Sequence, residues 1–110
     1  MSCRIEYSKK AINDLDDLFN YMLIESLDKI GVERFFNKLF ETIDLLTDFP
    51  YSGKQLILAR NIKTNYRYLI YKKYFLFYTV DDDVVKIERV IHSKRDYIHC
   101  LLNDSQIGGK

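Results

Sequence analysis

A chain of 110 residues is long enough for one domain with a single hydrophobic core. Hydrophobic residues make up 47% of it and aromatic residues 15%, which excludes an intrinsically disordered chain. The formal net charge is only +1, so the bulk charge does not indicate a nucleic-acid-binding protein. Acidic residues crowd the first half and basic residues gather between Lys54 and Arg95, so the sequence still allows a local basic surface.

Features of secreted, membrane and metal-binding proteins are not found in the sequence. The N-terminus has no apolar signal segment, and no apolar run approaches the roughly 18 residues that span a membrane. We therefore expect a cytoplasmic protein in which Cys3 and Cys100 are reduced thiols. No Cys or His spacing typical of a metal site is present, so we expect neither a metal nor a cofactor.

The first half of the chain predicts a short strand followed by two helices. Arg4–Tyr7 alternates like a strand, and Ser8 and Asp28 are suitable N-caps for the two helices. Pro50 ends the second helix, because proline disfavours the helical conformation in the residue before it. The predicted buried stripes are Ile12, Leu15, Phe19, Met22 and Leu23, then Val32, Phe36, Leu39, Ile43 and Leu46. The acidic residues Glu6, Asp14, Asp16 and Asp17 are expected to lie on a solvated face.

The second half predicts an antiparallel meander of three strands. The strands are Tyr66–Tyr71, Tyr74–Val80 and Val84–Ile91, with tight turns between them. The segment from Gln55 to Lys63 has no clear period and stays ambiguous. A short helix follows up to Leu102. Residues 103–110 are expected to form a mobile tail outside the domain 1–102.

This element order predicts an α+β fold in which a helical hairpin packs on one face of a small curved antiparallel sheet. The other face would be free for a partner or a substrate. The turn at Asp81–Asp83 is expected to carry solvated carboxylates rather than a metal ion.

The end of the last predicted strand and the residues just after it form the most distinctive polar cluster. Histidine transfers protons near neutral pH, arginine stabilises charge on a phosphate, and tyrosine can donate a proton or stack on a base. These side chains are suited to metal-independent RNA cleavage. They equally suit a polar strand end that caps the sheet. The cluster comprises Arg89, His92, Lys94, Arg95 and Tyr97.

Two arginines, Arg89 and Arg67, each allow two interpretations. Strict alternation places Arg89 on the same face as Val85 and Ile87, where it would need a carboxylate partner in a core but none on an open face. Arg67 lies between two tyrosines in a second basic and aromatic cluster. Such a cluster is suited to nucleic-acid contact, although tyrosines of this kind are often core residues with exposed hydroxyls.

Three segments in this order and spacing resemble the RelE/ParE toxins over roughly Arg4 to Leu102. They are Ser8–Leu15, the stripe from Phe36 to Phe49-Pro50 with Gly53, and the strands from Tyr66-Arg67 to His92-Ser-Lys-Arg95-Asp96. The resemblance implies the toxic component of a type II toxin–antitoxin system, which arrests growth and is neutralised by a cognate antitoxin protein.

The resemblance leaves two activities open. RelE-like members cleave mRNA on the ribosome, whereas ParE-like members bind DNA gyrase and block it without hydrolysis. Phe75 occupies a central-strand position where RelE-like toxins tend to have arginine, and the near-neutral charge is also unlike theirs. These departures favour the ParE-like activity by a small margin. A degenerate toxin that only titrates an antitoxin is a third reading.

If the chain is a ribonuclease, the resemblance implies the catalytic residues Arg67, Arg89, His92, Arg95 and Tyr97.

Overall fold

A computed structural model describes residues 2–105 of the protein, with side chains for residues 2–102. In chain order these residues form one strand, two long helices, four further strands and a last helix. The elements are β1 (Arg4–Tyr7), α1 (Lys9–Ser26), α2 (Lys29–Asp44), β2 (Lys54–Leu58), β3 (Ile62–Tyr71), β4 (Tyr74–Asp81), β5 (Val84–His92) and α3 (Tyr97–Ser105). The predicted α+β fold class is confirmed.

Both predicted N-caps begin the long helices. The Ser8 hydroxyl accepts a hydrogen bond from the Ala11 amide at 2.9 Å, and Asp28 accepts one from the Gly31 amide at 3.0 Å. The Ser8 hydroxyl also donates to the Glu88 carbonyl at 2.7 Å, which fixes the start of α1 beside β5. The hairpin turns at Leu27, whose φ of 57° is left-handed.

The sheet has five strands in the order β1-β5-β4-β3-β2. Strands β2 to β5 form an antiparallel meander, whereas β1 pairs with β5 in parallel, so the sheet is mixed rather than purely antiparallel. The ambiguous segment contains β2, which the sequence did not predict, and β3 begins at Ile62 rather than Tyr66. A register shift in β2 between Gln55 and Ile57 interrupts the alternation that would have revealed the strand.

The two predicted helix stripes have different outcomes. The stripe of α2 is confirmed, since Val32, Phe36, Leu39, Ile43 and the following Leu46 are buried. The stripe of α1 is rotated from the prediction: its buried residues are Ala11, Leu15 and Leu18. The predicted core residues Ile12 and Phe19 are exposed, by 47% and 37%.

The sheet separates two hydrophobic clusters. The hairpin face, which packs against α1 and α2, contributes the buried strand residues Leu76, Tyr78, Val85, Ile87 and Val90. The opposite face, here called the α3 face, contributes Leu56, Phe77 and Ile91, which pack with Leu101 of α3. The expectation that this second face is free is therefore wrong for the part that α3 covers.

Helix α3 reaches Ser105, three residues beyond the predicted end. The remainder of the predicted tail, 106–110, lies outside the described residues, and the domain boundary at 102 stays a prediction. Cys3 and Cys100 are free thiols that pack against opposite faces of the sheet. Among the helices of residues 2–105, none is long and apolar enough to cross a membrane.

Candidate functional site

Arg89 is held by an ion pair at the open edge of β5. Strand β1 pairs with β5 only as far as Ile87, so the edge beyond it faces α1. Asp14 of α1 occupies this edge: its carboxylate accepts from Arg89 Nε at 2.7 Å, from Arg89 Nη2 at 3.0 Å and from the Val90 amide at 2.9 Å. The two side chains are only 12% and 13% exposed, so the pair is largely removed from water.

This pair settles the question that the alternation of β5 left open. A register shift between β4 and β5 leaves Glu88 as an extra residue without a partner on β4. Ile87 and Val90 therefore both lie on the hairpin face, and Arg89 pairs across the strands with Phe77. The hydrogen bond to Asp14 is the main cause that raises the pKa of Arg89 further above its usual value. The prediction that Asp14 lies on a solvated face is wrong, because its carboxylate binds the edge of β5.

Tyr97 lies on the α3 face, against aromatic rings of β4. Its ring centroid is 4.8 Å from that of Phe75 in an edge-on arrangement and 5.6 Å from that of Phe77 in a stacked one. Aromatic pairs at such separations stabilise the packing beyond their buried area. Phe75, at the position where RelE-like toxins tend to have arginine, is thus part of an aromatic cluster with Phe77 and Tyr97.

His92 and Arg95 lie in and beside the turn after β5. His92 is opposite Tyr74, with the ring centroids 5.1 Å apart, and its Nδ1 accepts from the Lys94 amide at 3.0 Å. A neutral ring that accepts at Nδ1 has its proton on Nε2, so in this state it can donate a hydrogen bond from Nε2 but has no free lone pair with which to act as a base. Arg95 is exposed and donates to Cys100 Sγ at 3.3 Å.

Arg67 braces the loop before β2. Its Nη1 donates to the Gly53 carbonyl at 2.7 Å, and its guanidinium lies 4.9 Å from the ring centre of Tyr51. The buried Tyr78 hydroxyl accepts from the Gly53 amide and donates to the Pro50 carbonyl, both at 2.9 Å. Burial raises the pKa of Tyr78, so its phenol keeps the proton that the second bond needs.

The structure does not bring the five candidate residues into one cluster. Arg67 and His92 are opposite Tyr78 and Tyr74, which are four residues apart on β4 and therefore ~13 Å apart along the strand. Tyr97 lies on the α3 face, and Arg89 is paired at the edge of β5. The nearest approach to a group is the turn of His92 and Arg95 beside the start of α3.

The sequence patterns did not identify Asp14 as the partner of Arg89. One signal was available, because Asp14 is three residues after Ala11 and four before Leu18, on the side of α1 that is in fact buried. Among the described residues, no three His, Cys, Asp or Glu side chains group together in a way that could hold a metal ion.

The sequence of this chain matches the model of a known protein family. The family model described as the ParE toxin of type II toxin–antitoxin systems, parDE, matches residues 5–97. This chain belongs to the ParE toxin family. The match runs from the second residue of β1 to the first residue of α3 and so includes both long helices and all of the sheet except Arg4. No curated protein matches the sequence.

Solved toxin structures share the fold of this ParE family member. A chain of the chromosomal ParDE toxin–antitoxin system from P. aeruginosa superposes with a TM-score of 0.69 at 14% identity, covering 84% of this chain and 98% of that one. A chain of the E. coli DinJ–YafQ toxin–antitoxin complex gives a TM-score of 0.52 at 20% identity, with 84% and 93% covered. At these identities the likeness establishes the RelE/ParE fold alone.

Proposed function

We propose that this toxin arrests growth by binding DNA gyrase through protein–protein contact, and that a cognate antitoxin neutralises it by binding it. Membership of the ParE family supports the proposal, since the family model covers residues 5–97. The observation that carries the choice of target is the pairing of Arg89 with Asp14 inside the protein.

A catalytic arginine must direct its donors at the phosphate as charge develops there. Arg89 instead directs Nε and Nη2 at the Asp14 carboxylate. Turning it towards RNA would leave a largely buried carboxylate without its cation, which costs about 3–5 kcal/mol for a buried pair. We therefore assign Arg89 to holding α1 against β5 rather than to catalysis.

The aromatic packing on the α3 face supports the same choice. Tyr97 lies against Phe75 and Phe77, so its ring is part of the cover of the sheet. Phe75 supplies no charge to a phosphate. A net charge of +1 also gives little general attraction to ribosomal RNA.

A RelE-like, ribosome-dependent mRNA endonuclease is the second candidate. The observation in its favour is the turn after β5, where the half-buried His92 lies close to the exposed Lys94 and Arg95. In that mechanism the imidazolium form of His92, in which Nδ1 also carries a proton and no longer accepts from the Lys94 amide, would donate its Nε2 proton to the leaving oxygen, and Arg95 would stabilise the phosphate. Another group would have to take the proton of the 2′-hydroxyl, because an imidazolium has no free lone pair.

Two variants distinguish the two candidate functions. His92→Ala removes the imidazole, and Tyr97→Phe removes only the hydroxyl while keeping the ring that covers β4. We expect both variants to remain toxic when expressed without the antitoxin, because inhibition by contact needs no catalytic group. Growth curves after induction, with the amount of each protein matched by immunoblot, measure the effect.

Antitoxin co-expression is the control for folding. A variant that the antitoxin still binds is correctly folded, so its toxicity reports on function alone. A harmless His92→Ala protein that still binds the antitoxin would refute the gyrase proposal and favour the endonuclease.

A further inference from the structure

The loop between α2 and β2 presents two large aromatic side chains that the core does not bury. Phe49 and Tyr51 are each 62% exposed, and Leu45 just before them is 60% exposed. We call residues 45–52 the aromatic loop. Large apolar side chains grouped at a surface mark sites of contact with another molecule, so this loop has the composition of a binding surface.

The backbone of the aromatic loop is fixed by hydrogen bonds. The hydroxyl of the buried Tyr78 donates to the Pro50 carbonyl and accepts from the Gly53 amide, both at 2.9 Å. Within the loop, the Phe49 amide donates to the Leu45 carbonyl at 3.0 Å. The loop is thus ordered before any partner arrives, and a preorganised surface loses less conformational entropy on binding.

Arg67 holds the ring of Tyr51 in place. Its guanidinium carbon lies 4.9 Å from the centre of that ring, and its Nη1 donates to the Gly53 carbonyl at 2.7 Å. A cation over an aromatic ring attracts it, so the orientation of Tyr51 is restrained although most of its surface stays in water. Restrained aromatic side chains of this kind supply much of the binding energy in protein interfaces.

Carboxylates of the β4–β5 turn adjoin the aromatic loop. Pro50 lines one hollow of the surface together with Asp82 and Asp83. Tyr51 lines a second hollow together with Asp81. These three aspartates are exposed, and none forms an ion pair with a side chain that the structure describes. Three carboxylates are therefore available to a partner that carries cations.

The net charge of +1 conceals a separation of charge along the strands. Lys73, Lys94 and Arg95 lie at the opposite end of β4 from Asp81–Asp83, where the Ser93 amide donates to the Lys73 carbonyl. A nucleic acid can stack on exposed aromatic rings, but the aspartates beside the aromatic loop repel its phosphates. The occupant that fits both the rings and the carboxylates is a protein surface with apolar and cationic side chains.

We propose that the aromatic loop docks on a cationic surface of DNA gyrase. Phe49 and Tyr51 are the apolar anchors, and the aspartates of the β4–β5 turn pair with lysine or arginine side chains of the enzyme. Gyrase has this chemistry, because an enzyme that acts on DNA presents cations to the phosphate backbone. The inference rests on the proposed function and adds the surface of the toxin that makes the contact. Tyr78 and Arg67 are then positioning residues that present the loop.

Removal of either anchor tests the docking surface. The probe is the purified gyrase holoenzyme, and biolayer interferometry measures the binding of full-length toxin to it. Phe49→Ala and Tyr51→Ala should each raise the Kd by at least about tenfold, because aromatic anchors dominate the binding energy of an interface. The matched control is Tyr21→Ala on α1, where the ring is 60% exposed, and it should leave the Kd unchanged. Thermal unfolding checks that each variant is folded.

Neutralisation of the turn tests the charge of the partner. Asp82→Asn/Asp83→Asn should raise the Kd about threefold and make it less dependent on salt, because charge pairs across the interface are lost. Asparagine tolerates the left-handed conformation of residue 82, so the turn is kept. The control Asp16→Asn/Asp17→Asn removes the same charge from α1 and should bind like wild type. An unchanged Kd and salt dependence in the turn variant would exclude a cationic partner surface.

Three further results would overturn the docking surface. Both alanine variants could bind gyrase as wild type does. They could instead lose affinity for the antitoxin while still inhibiting gyrase, which would assign the aromatic loop to the antitoxin. A wild-type dimer in analytical ultracentrifugation that Tyr51→Ala abolishes, with gyrase affinity kept, would assign the loop to a second copy of this chain.

The same binding experiment separates this inference from the proposed function. Failure of wild-type toxin to bind gyrase would refute the proposed target and the docking surface with it. Binding of wild-type toxin that both alanine variants retain would refute the docking surface alone.

Discussion

The two faces of the sheet are covered to different depths. Two long helices cover the hairpin face, where Leu76, Tyr78 and Ile87 have no exposed surface. A nine-residue helix covers the α3 face, where Phe77 is buried but Phe75 and Tyr97 remain partly exposed. The hairpin face also contains the hydrogen bonds of Tyr71 and Tyr78 to distant backbone groups.

This difference implies that the two faces differ in local stability. Elements with few buried contacts open at a lower free energy than the global unfolding of a domain. We therefore expect α3 to detach from the sheet more readily than the hairpin. The candidate catalytic residues are spread over both regions, so changes on each face should have distinct signatures.

The largest effect is expected where the hairpin joins the sheet. Asp14→Asn keeps the side-chain shape but removes the carboxylate charge that pairs with the largely buried guanidinium of Arg89. We expect the free energy of unfolding to fall by about 3 kcal/mol. Urea denaturation measures it, with Asp17→Asn on the exposed side of α1 as the control. A loss below about 1 kcal/mol would show that the pair behaves like a solvated surface ion pair.

The next effect is on the α3 face. Tyr97→Ala removes the ring that lies on Phe75 and Phe77, at a cost of about 2 kcal/mol, less than for a fully buried aromatic. Hydrogen exchange should show the amides of α3 losing protection while those of β4 and α2 keep theirs. Tyr97→Phe keeps the ring and should behave like wild type. Equal loss of protection in α2 would mean that the two faces unfold as one unit.

A smaller effect is expected from a single hydroxyl on the hairpin face. Tyr78→Phe removes the acceptor of the Gly53 amide and the donor to the Pro50 carbonyl. Leaving these groups unpaired should cost about 1.5 kcal/mol, read from the urea midpoint. Tyr21→Phe, at an exposed tyrosine, is the matched control. An unchanged midpoint would indicate that water replaces the hydroxyl.

The smallest effect appears only at alkaline pH. Burial, with the nearby charge of Asp44, raises the pKa of Tyr7 to about 12. The unfolded chain releases this proton near pH ~10, so the contribution of Tyr7 to stability is complete below that pH and is lost as the pH rises towards 12. Tyr7→Phe should therefore lose less stability than wild type between pH ~10 and ~12. Equal losses in both proteins would exclude Tyr7 as a cause of alkaline destabilisation.

Local patterns predicted much of the fold. The stripe of α2 follows the helical period without interruption, and the caps Ser8 and Asp28 act through neighbouring residues. The stripe of α1 was wrong in part, because Ile12 and Phe19 are large and apolar yet 47% and 37% exposed, while the small Ala11 is buried. The parallel pairing of β1 depends on a strand about 80 residues away, as the pairing Arg4 with Val84 shows, so local sequence does not encode it.

The site was harder to predict because its contacts are long-range. Asp14 and Arg89 are 75 residues apart, and the extra residue Glu88 breaks the alternation that was used to orient Arg89. The hydrogen bond from the Tyr71 hydroxyl to the Phe35 carbonyl likewise joins residues that are 36 apart in the chain. Resemblance to the toxin family identified the kind of protein, whereas the pairing of individual side chains required the folded structure.

Expression of the toxin without its antitoxin, followed by sequencing of total RNA and measurement of plasmid supercoiling in the same cells, tests the central claim most directly. Inhibition of gyrase by contact predicts relaxed plasmid, an induced DNA-damage response and intact transcripts, with the same outcome for His92→Ala. Transcripts cut within codons together with normal supercoiling would contradict the claim and would make the turn from His92 to Tyr97 the site of an mRNA endonuclease.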